Sequence, residues 1–461
     1  MDLRGHAVLV AGAGVTGRSV VTTLCDAGAR VTVTDANAER LAALADTPAR
    51  TELGLTRPPD GTDLVVTSPG WRPDSPLLAA AAAEGIDVIG DVELAWRIGS
   101  ERKPPPVWLA VTGTNGKTTT VGMLAAMLRA SGTNAVACGN VGFAVLDAVL
   151  AGYEVLAVEL SSFQLHWSRS LAPRASVVLN VAEDHLDWHG DLDAYAAAKG
   201  TLHAATQVAV ANADDAISTR LVADHADPDA RWVGFTLGKP KPGQLGIVDG
   251  SLVDAAYSDE PVVLADVADV RPEGDHNVAN ALAAAALARA YGIAPDAIRD
   301  GLRAFTPGEH RAAEVATVAG VRYINDSKAT NPHAASGSLL SYEHVVWIAG
   351  GQLKGAEVDS LVAAAAERLR GVVLLGADAD VIADAVSRHA PDVPMTALDS
   401  GDDDPMVAAV SAASAWARPG DVVLLAPAAA SLDMFRDYAH RGEAFAAAVR
   451  ALAGESADGS G

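Results

Sequence analysis

The chain has 461 residues, enough for about three domains of ordinary size, and 50% of them are hydrophobic, so sizeable cores can form. Basic residues number 34 and acidic residues 58, which gives a formal net charge of −24 at pH 7. So acidic a chain is unsuited to nucleic acid, because binding a phosphate backbone requires clustered Lys and Arg. A small phosphate ligand is not excluded, since a glycine-rich loop can bind phosphate through backbone amides.

The thiols and the hydropathy indicate the compartment. Cys25 and Cys138 lie far apart in the sequence, which is typical of a reducing compartment and not of a disulfide framework. The first residues lack the basic-then-apolar pattern of a secretory signal, and no apolar run reaches the ~18 residues of a membrane span. We expect a monomeric cytoplasmic protein with neither nucleic-acid nor membrane partners.

Strand and helix patterns alternate in three stretches of the chain, which predicts three α/β domains with largely parallel sheets. A charged, proline-rich linker separates the first two stretches at Gly99–Pro106. Leu237–Gly246 is rich in Gly and Pro and is expected to form a surface loop or hairpin. The small, polar C-terminal residues are expected to be a disordered tail. The predicted domains and tail are 1–103, 104–307, 308–453 and 454–461.

In chain order, the first candidate site is a glycine-rich turn between a strand and a helix. The segment Gly12–Gly17 reads GAGVTG, and its glycines allow the backbone to approach a phosphate at the helix N-terminus. Asp35 ends the next strand, where a dinucleotide-binding fold places its ribose-binding acid, and Val65–Gly70 forms another strand-end loop nearby. Three interpretations remain open: NAD, another nucleotide whose uracil N–H Asp35 would bind, or a turn without a ligand.

The strongest motif is the strand–loop–helix around Gly113–Thr119, which reads GTNGKTT. Its amides can cradle phosphates, Lys117 can reach the outer phosphates, and Thr118 can bind Mg²⁺. Val111 stands where the usual first glycine would be, so this is a shortened phosphate loop. Glu159 ends a later apolar strand, and a carboxylate there can hold a metal that bridges nucleotide phosphates.

Polar residues also follow later predicted strands. His185 follows an apolar run and can bind a metal or the substrate, although a lone histidine is often structural. Lys199 lies on an Ala-rich helix and would not stand out by its spacing alone. In the last third, Asp326–Asn331 (DSKATN), a loop with Lys354 and a loop with Ser431 predict a binding face, and Ser431 is expected to be a helix N-cap.

Taken together, these motifs resemble the Mur ligase family along nearly the whole chain. The resemblance implies a Rossmann-like N-terminal domain, a central P-loop ATP-binding domain with a parallel sheet, and a Rossmann-like C-terminal domain. Two of the matching segments, Asp326–Asn331 and Pro427–Phe435, are similar to those of the family members that add D-glutamate. The matching segments are Gly113–Thr119, Glu159–Leu165, Glu183–His185, His276–Asn280, Gly308–Arg311, Asp326–Asn331 and Pro427–Phe435.

The resemblance also implies a reaction. It is the ATP-dependent ligation of D-glutamate to UDP-N-acetylmuramoyl-L-alanine through an acyl-phosphate, which yields ADP and phosphate in peptidoglycan precursor synthesis and so serves cell shape and division. ATP and Mg²⁺ are implied, with CO₂ as a carbamate on Lys199. The alternatives within this class are a Mur ligase that adds another amino acid and a ligase like folylpolyglutamate synthase. Two alternatives from other functional classes are an NAD-dependent enzyme and a non-catalytic ATP-binding switch.

Residue roles follow from the resemblance position by position. The implied catalytic residues are Lys117, His185, Lys199 and Lys328. The implied ATP-binding residues are Gly113, Thr114, Asn115, Gly116, Lys117, Thr118, Thr119, Asn280, Arg311 and Asp326. The implied UDP-substrate residues are Val15, Thr16, Asp35, Ser68, Pro69, Gly70, Asn140 and His185. D-Glutamate is expected at Thr330, Lys354, Ser431, Leu432 and Tyr438. The implied metal ligands are Thr118, Glu159, His185 and a carbamylated Lys199.

Four positions depart from the usual family pattern. Gln352 stands where an acid is frequent, Ala426 and Ala429 replace the more usual Ser and Cys, and Tyr438 stands where Phe is common. These departures concern the shape of the predicted D-glutamate pocket and leave the phosphate chemistry unaffected.

Overall fold

The computed structural model describes residues 2–398 and 404–458, and within them three sheets form. Two compact units are present. The first holds the two N-terminal sheets and consists of the chain up to Val181, His185–Asp269 and Asn280–Ala304. The second holds the C-terminal sheet and consists of Ala182–Asp184, Val270–Ala279 and the chain from Phe305. None of the helices in these described residues combines the length and hydropathy needed to cross a bilayer.

The N-terminal sheet is fully parallel, in the order β3-β2-β1-β4-β5. Its middle strands are valine-rich and buried on both faces, as parallel strands usually are. The order reverses between β1 and β4, and such a switch point is where α/β sheets bind ligands. The elements are β1 (Ala7–Ala11), α1 (Val15–Asp26), β2 (Arg30–Asp35), α2 (Ala38–Ala42), β3 (Arg50–Leu53), β4 (Leu64–Thr67), α3 (Pro76–Ala83), β5 (Asp87–Gly90) and α4 (Asp91–Ser100).

The central sheet has the order β14-β13-β12-β11-β10-β9-β6-β8-β7. It is parallel from β7 to β12, as predicted, and β13 and β14 extend it antiparallel. The predicted loop at 237–246 lies between β11 and β12, and its last residues already belong to β12. The elements are β6 (Val107–Thr112), α5 (Lys117–Ala130), β7 (Ala135–Gly139), α6 (Val145–Ala151), β8 (Val155–Glu159), α7 (Ser162–His166), β9 (Ala175–Val178), α8 (Leu186–His189), α9 (Leu192–Gly200), β10 (Val208–Asn212), α10 (Ala216–His225), β11 (Arg231–Phe235), β12 (Gln244–Val248), β13 (Ser251–Asp254), β14 (Val262–Asp266), α11 (Asp275–Tyr291) and α12 (Pro295–Ala304).

The C-terminal sheet has the order β15-β16-β20-β17-β18-β19, with only the β15–β16 pair antiparallel. The last helix continues to Asp458, into the tail predicted at 454–461, and residues 459–461 lie outside the described residues. The elements are β15 (Ala313–Val318), β16 (Val321–Asn325), α13 (Pro332–Leu339), β17 (Val345–Gly350), α14 (Asp359–Ala365), β18 (Leu369–Leu375), α15 (Ala379–His389), β19 (Met395–Ala397), α16 (Pro405–Trp416), β20 (Val422–Leu425) and α17 (Tyr438–Asp458).

The predicted N-cap at Ser431 is wrong. Its carbonyl oxygen accepts hydrogen bonds from the amides of Met434 (3.2 Å) and Phe435 (2.8 Å), which closes a turn. The helix itself begins only at Tyr438. Serine is a frequent N-cap residue, but here residues 431–435 form a separate turn before the helix.

Glu93 on α4 joins the N-terminal sheet layer to the segment after α7. Its side chain is completely buried. One carboxylate oxygen accepts from the backbone amides of Arg169 (2.9 Å) and Ser170 (3.0 Å). The other accepts from the Ser170 hydroxyl (2.7 Å) and from Arg97 Nε (2.8 Å). Glu93 therefore links the N-terminal and central sheets through four hydrogen bonds from protein groups.

Candidate active site

The glycine-rich turn after β1 packs so closely against its neighbours that a residue with a side chain would not fit at Gly12 or Gly17. A Cβ on Gly12, which has a φ of +110°, would meet the side chain of Ser68, and a Cβ on Gly17 would meet the Gly12 carbonyl oxygen. Ser68 follows β4, so the turn and the Ser68 loop flank the switch point of the sheet. The structure thus brings the predicted UDP-substrate loops after β1 and β4 together.

Asp35 at the end of β2 shapes the same turn. Its two carboxylate oxygens accept from the backbone amides of Ala13 and Asn37, both at 2.9 Å. Arg40 Nη1 lies 3.8 Å from Asp35 Oδ2. Residues 35–40 line an open pocket of about 620 Å³. Val15 is 85% exposed at the start of α1, where a ligand can cover it. Val15, Asp35 and Ser68 therefore sit around one accessible edge of the N-terminal sheet, whereas the predicted Asn140 and His185 follow strands of the central sheet.

The phosphate loop leads from β6 into α5. Gly116 is the N-cap residue of α5 with a φ of +86°, and a side chain there would meet Asn280. Lys117 Nζ donates to the carbonyl oxygens of Gly113 and Thr114, both at 2.9 Å. Amides at a helix N-terminus favour an anion. The predicted loop residues and Asn280 therefore lie together at the N-terminus of α5, where the backbone favours an anion.

Glu159 at the end of β8 is paired with two predicted site residues. It is 2% exposed and accepts from Thr118 Oγ1 at 2.6 Å and from Asn140 Nδ2 at 3.3 Å. A hydroxyl, a carboxylate and an amide supply the hard oxygen ligands that suit Mg²⁺. Across residues 2–398 and 404–458, no three His, Cys, Asp or Glu side chains are grouped so that they could hold a metal. An ion at Glu159 would therefore need hydroxyl, phosphate or water oxygens as well.

Lys199 points into the same loop from α9. It is 1% exposed, its Nζ donates to the Gly113 carbonyl oxygen at 3.0 Å, and it lies 4.3 Å from the Tyr195 ring centre. Lys117 bonds to that same carbonyl oxygen. Burying an ammonium group costs free energy, so this lysine is not a solvated surface residue and its burial needs a functional explanation.

His185 is the N-cap residue of α8 and has a positive φ of 55°. Its ring lies 4.8 Å from the Phe163 ring and 6.4 Å from the Tyr195 ring. The structure therefore places the predicted ligand His185 beside Tyr195, the residue that also contacts Lys199. Phe163 belongs to the segment after Glu159, so the aromatic contact connects two of the predicted motifs.

Sequence reasoning missed several residues that shape this region. Asn180 holds the phosphate loop, because its carbonyl oxygen accepts from the Thr114 amide at 3.0 Å and its side chain accepts from the Asn115 amide at 2.9 Å. His189 Nε2 lies 2.9 Å from Ser162 Oγ. Burial, helped by the charge of Lys199, lowers the pKa of His189 to about 4, so it is neutral at pH 7. Asn180 could have been found from its position just after β9, whereas His189, at the end of α8, carries no such signal.

In the second unit, the predicted residues after β16 form a connected group. Asp326 accepts from Ser338 Oγ and from the Ala312 amide (3.2 Å), and burial raises its pKa despite the nearby charge of Arg311. Lys328 Nζ lies 4.0 Å from the ring centre of Tyr438. Lys328 is therefore held on an aromatic face by a residue at one of the positions that depart from the family pattern.

The other two loops of this unit pair with each other, and the loop with Ser431 also contacts the first loop. The amide of Gln352 donates to the Ala430 carbonyl oxygen (2.8 Å), and the Ala430 amide donates to the Gln352 carbonyl oxygen (2.9 Å). The Ala428 amide donates to the Ala329 carbonyl oxygen at 3.0 Å. These are backbone contacts, so the departure at Gln352 does not affect them. Other predicted residues differ in access: Thr330 is partly buried, Lys354 exposed, Ser431 buried and Leu432 63% exposed.

The phosphate loop, its buried Glu159 and the parallel sheets define a nucleotide-dependent α/β enzyme. Family models for three consecutive parts of Mur ligases match the chain: the MurD-like N-terminal domain at 6–90, the middle domain at 111–288 and the glutamate ligase domain at 310–429. The chain belongs to the Mur ligase family, whose members are ATP-dependent amide-bond-forming ligases. The predicted family and the predicted fold class are both confirmed.

Two relatives match over nearly their whole length. Proteins named UDP-N-acetylmuramoylalanine–D-glutamate ligase are 56% identical in Thermobifida fusca, over 98% of this chain and 100% of the relative, and 54% identical in Nocardia farcinica, over 98% and 97%. Among solved structures, UDP-N-acetylmuramate-alanine ligase MurC from Thermotoga maritima aligns with a TM-score of 0.59. That alignment covers 97% of this chain and 99% of the other at 19% identity, so it supports the fold alone.

Proposed function

We infer that this protein ligates D-glutamate to UDP-N-acetylmuramoyl-L-alanine, with ATP converted to ADP and phosphate, in peptidoglycan precursor synthesis. The choice of substrates rests on the full-length identity to relatives named for that reaction. The observation that carries the chemistry is the arrangement of Thr118, Glu159 and two lysines around one phosphate loop. This arrangement suits phosphoryl transfer from ATP. The NAD interpretation of the first turn is less favoured, because the relatives are named for a UDP-linked substrate.

The reaction needs a carboxylate to attack the γ-phosphate of ATP although both are anionic. In our proposal the amides at the start of α5 and the ammonium group of Lys117 neutralise charge that develops on the phosphates. The resulting acyl-phosphate has a good leaving group, because phosphate is a far weaker base than hydroxide. The amine of D-glutamate then attacks the acyl carbon, and the C–O bond to phosphate breaks as the amide forms.

Thr118 and Glu159 are the residues that we propose for Mg²⁺, and the oxygens observed there fit that ion. The bound ion would neutralise phosphate charge beyond what the protein's own cations supply. We further propose that His185 binds a second Mg²⁺ and that Lys199 carries a carbamate. A carbamate would convert the buried ammonium group into an anion that accepts hydrogen bonds or binds a metal, and this would account for a lysine that is 1% exposed.

For D-glutamate we propose the three adjoining loops of the second unit. Lys328 would meet the phosphate and acyl groups. The amino acid would be held by Thr330, Lys354, Ser431, Leu432 and Tyr438. The positive side chain in this set, Lys354, would pair with one carboxylate of D-glutamate. The support is the backbone contacts that unite these loops.

The deciding experiment measures phosphate release from ATP with UDP-N-acetylmuramoyl-L-alanine and one amino acid at a time. We expect release with D-glutamate, and little with L-glutamate, L-alanine or a diamino acid, together with a product heavier by one glutamyl residue. Lys117→Met should abolish release, whereas Lys241→Met, on an exposed loop, should not. Preference for another amino acid, or no ATP cleavage with both substrates present, would refute the proposal.

We propose that the protein acts as a cytoplasmic monomer. ATP and nucleotide-linked sugars are made in the cytoplasm, and Cys25 and Cys138 are both unpaired thiols. Light scattering after size exclusion should give the mass of one chain, and a dimer mass would contradict this.

A further inference from the structure

The first turn of α17 contains a buried cation that none of the motifs predicts. Arg441 is 2% exposed and ranks among the largest fully buried side chains. Within the described residues it has no carboxylate at ion-pair distance. All its hydrogen bonds go to neutral oxygens. Burial lowers its pKa to about 10 despite the opposing charge of Asp433, and the guanidinium stays charged at neutral pH.

The hydrogen bonds of Arg441 reach each of the three proposed D-glutamate loops. Its Nε and Nη2 donate to the hydroxyl and carbonyl oxygens of Ser327, both at 3.0 Å. Its Nη1 donates to the carbonyl oxygens of Ala429 (3.1 Å) and Gly350 (3.3 Å). Ser327 precedes Lys328, Gly350 precedes the Gln352–Lys354 loop, and Ala429 precedes Ser431. One side chain therefore connects the backbones of all three loops.

Without its hydrogen bonds to the three loops, a charged Arg441 at this buried position would destabilise the fold. A cation in the first turn of a helix is repelled by the positive end of the helix dipole. A buried guanidinium that has no ion pair at contact distance also loses its hydration without full compensation. An arginine nevertheless offers five donors in a rigid fork, which a lysine or a neutral residue cannot supply. The contacts to three loops are the gain that offsets these costs.

The same turn also contacts the proposed catalytic lysine. Ser327 Oγ donates to the Tyr438 carbonyl oxygen at 2.7 Å, and Arg441 Nε donates to that Ser327 oxygen. Tyr438 carries the ring over which Lys328 Nζ lies. The start of α17, the loop with Lys328 and the two neighbouring loops are thus held as one assembly.

We propose that Arg441 is a positioning residue that keeps the three loops assembled for D-glutamate before the amino acid arrives. This inference rests on the proposed function, because it takes those loops to be the D-glutamate site. Arg441 itself does not contact the amino acid in this proposal. It acts through Ser327, Gly350 and Ala429.

The test compares Arg441→Met, which keeps the length without charge or donors, with Arg441→Lys, which keeps the charge without the fork. The matched control is Arg450→Met, an exposed arginine on the same helix. Loss of several charge-assisted hydrogen bonds should raise the KM for D-glutamate at least about tenfold in Arg441→Met. The KM for ATP should stay within about twofold, because the phosphate loop is untouched. Arg441→Lys should be intermediate, and the control should match the wild type.

Amide hydrogen exchange gives a second measurement that needs no activity. Residues 326–331, 350–355 and 427–431 should exchange faster in both Arg441 variants and not in the control. A KM for D-glutamate within twofold of the wild type, equal increases in both KM values, or unchanged loop exchange would overturn the proposal. If Arg441→Met does not fold, the same comparisons are made with Arg441→Lys. A wild-type enzyme that does not use D-glutamate would instead overturn the proposed function, and loop exchange would still show whether Arg441 holds the loops.

Discussion

Replacing Glu93 by Gln tests how the N-terminal and central sheets of the first unit are joined. The glutamine has the same shape but replaces one acceptor oxygen by an NH₂ donor. In the less costly orientation the NH₂ takes the place of the oxygen that faces Arg97 Nε and the Ser170 hydroxyl. The hydroxyl can rotate to accept, but the guanidinium cannot. In the opposite orientation the NH₂ group would face the backbone amides of Arg169 and Ser170, which are also donors, so both of those hydrogen bonds would be lost.

The structure sets the size of the effect. Hydrogen bonds to a charged group contribute about 1.5–3 kcal/mol each. The Arg97 bond is lost, the Ser170 hydroxyl bond is weakened, and the two amide bonds lose their charge. Since Arg97 is partly exposed, its share lies at the low end. We therefore expect Glu93→Gln to lower the free energy of unfolding of this unit by about 3 kcal/mol.

The assay is urea denaturation followed by tryptophan fluorescence at several pH values. Burial by itself raises the pKa of Glu93, but hydrogen bonds from Ser170 and Arg97 outweigh it and hold the pKa below the usual value. Its stabilisation is therefore complete above the unfolded pKa of about 4.3 and is lost as the pH falls through the lowered folded pKa. The difference between wild type and variant should shrink in strong acid.

The control is Glu84→Gln, which removes an exposed ion pair with Arg57 at 3.0 Å. Such pairs contribute about 0–1 kcal/mol, so this variant should be nearly as stable as the wild type. A Glu93 variant that loses less than about 1 kcal/mol, or a difference independent of pH, would refute this account of the junction.

Three further predictions concern the central sheet. Lys199→Ala should lower kcat at least about 100-fold while thermal unfolding changes little, because a buried ammonium group contributes more to the site than to the fold; near-normal phosphate release would remove its proposed role. Gly116→Ala should raise the KM for ATP about tenfold, since a positive φ costs roughly 1–2 kcal/mol and the methyl group meets Asn280. Gly132→Ala is its control, with a φ of +83° and nothing within 4 Å, and equal KM values for both variants would contradict the reasoning. Burial lowers the pKa of His203 to about 3, so its neutral form stabilises the protein fully above the unfolded pKa of about 6.5 and progressively less in acid. At pH 5 the loss is about 2 kcal/mol, and His203→Gln should reduce the fall in urea stability between pH 8 and pH 5 by that amount; an unchanged fall would show that His203 is not the group responsible.

Features whose residues are contiguous could be read from the sequence. The phosphate loop is one, because strand, glycines, Lys117 and helix follow one another and Gly116 must adopt a positive φ. The alternation of apolar runs and Ala-rich helices likewise predicts parallel sheets, since each strand needs a helical crossover. The first glycine turn was predicted with its neighbour Ser68, because both follow strands of one sheet.

Tertiary structure decided what joins distant segments. Lys199 bonds to Gly113, 86 residues away, and Glu93 to Ser170, 77 residues away. Neither contact leaves a periodic signal. Arg441 looks in the sequence like any basic helical residue, and Ser431 looks like a cap. Hydrogen bonds act over a few ångströms in space whatever the separation along the chain, so only the packed fold determines which charges become buried and which loops they hold.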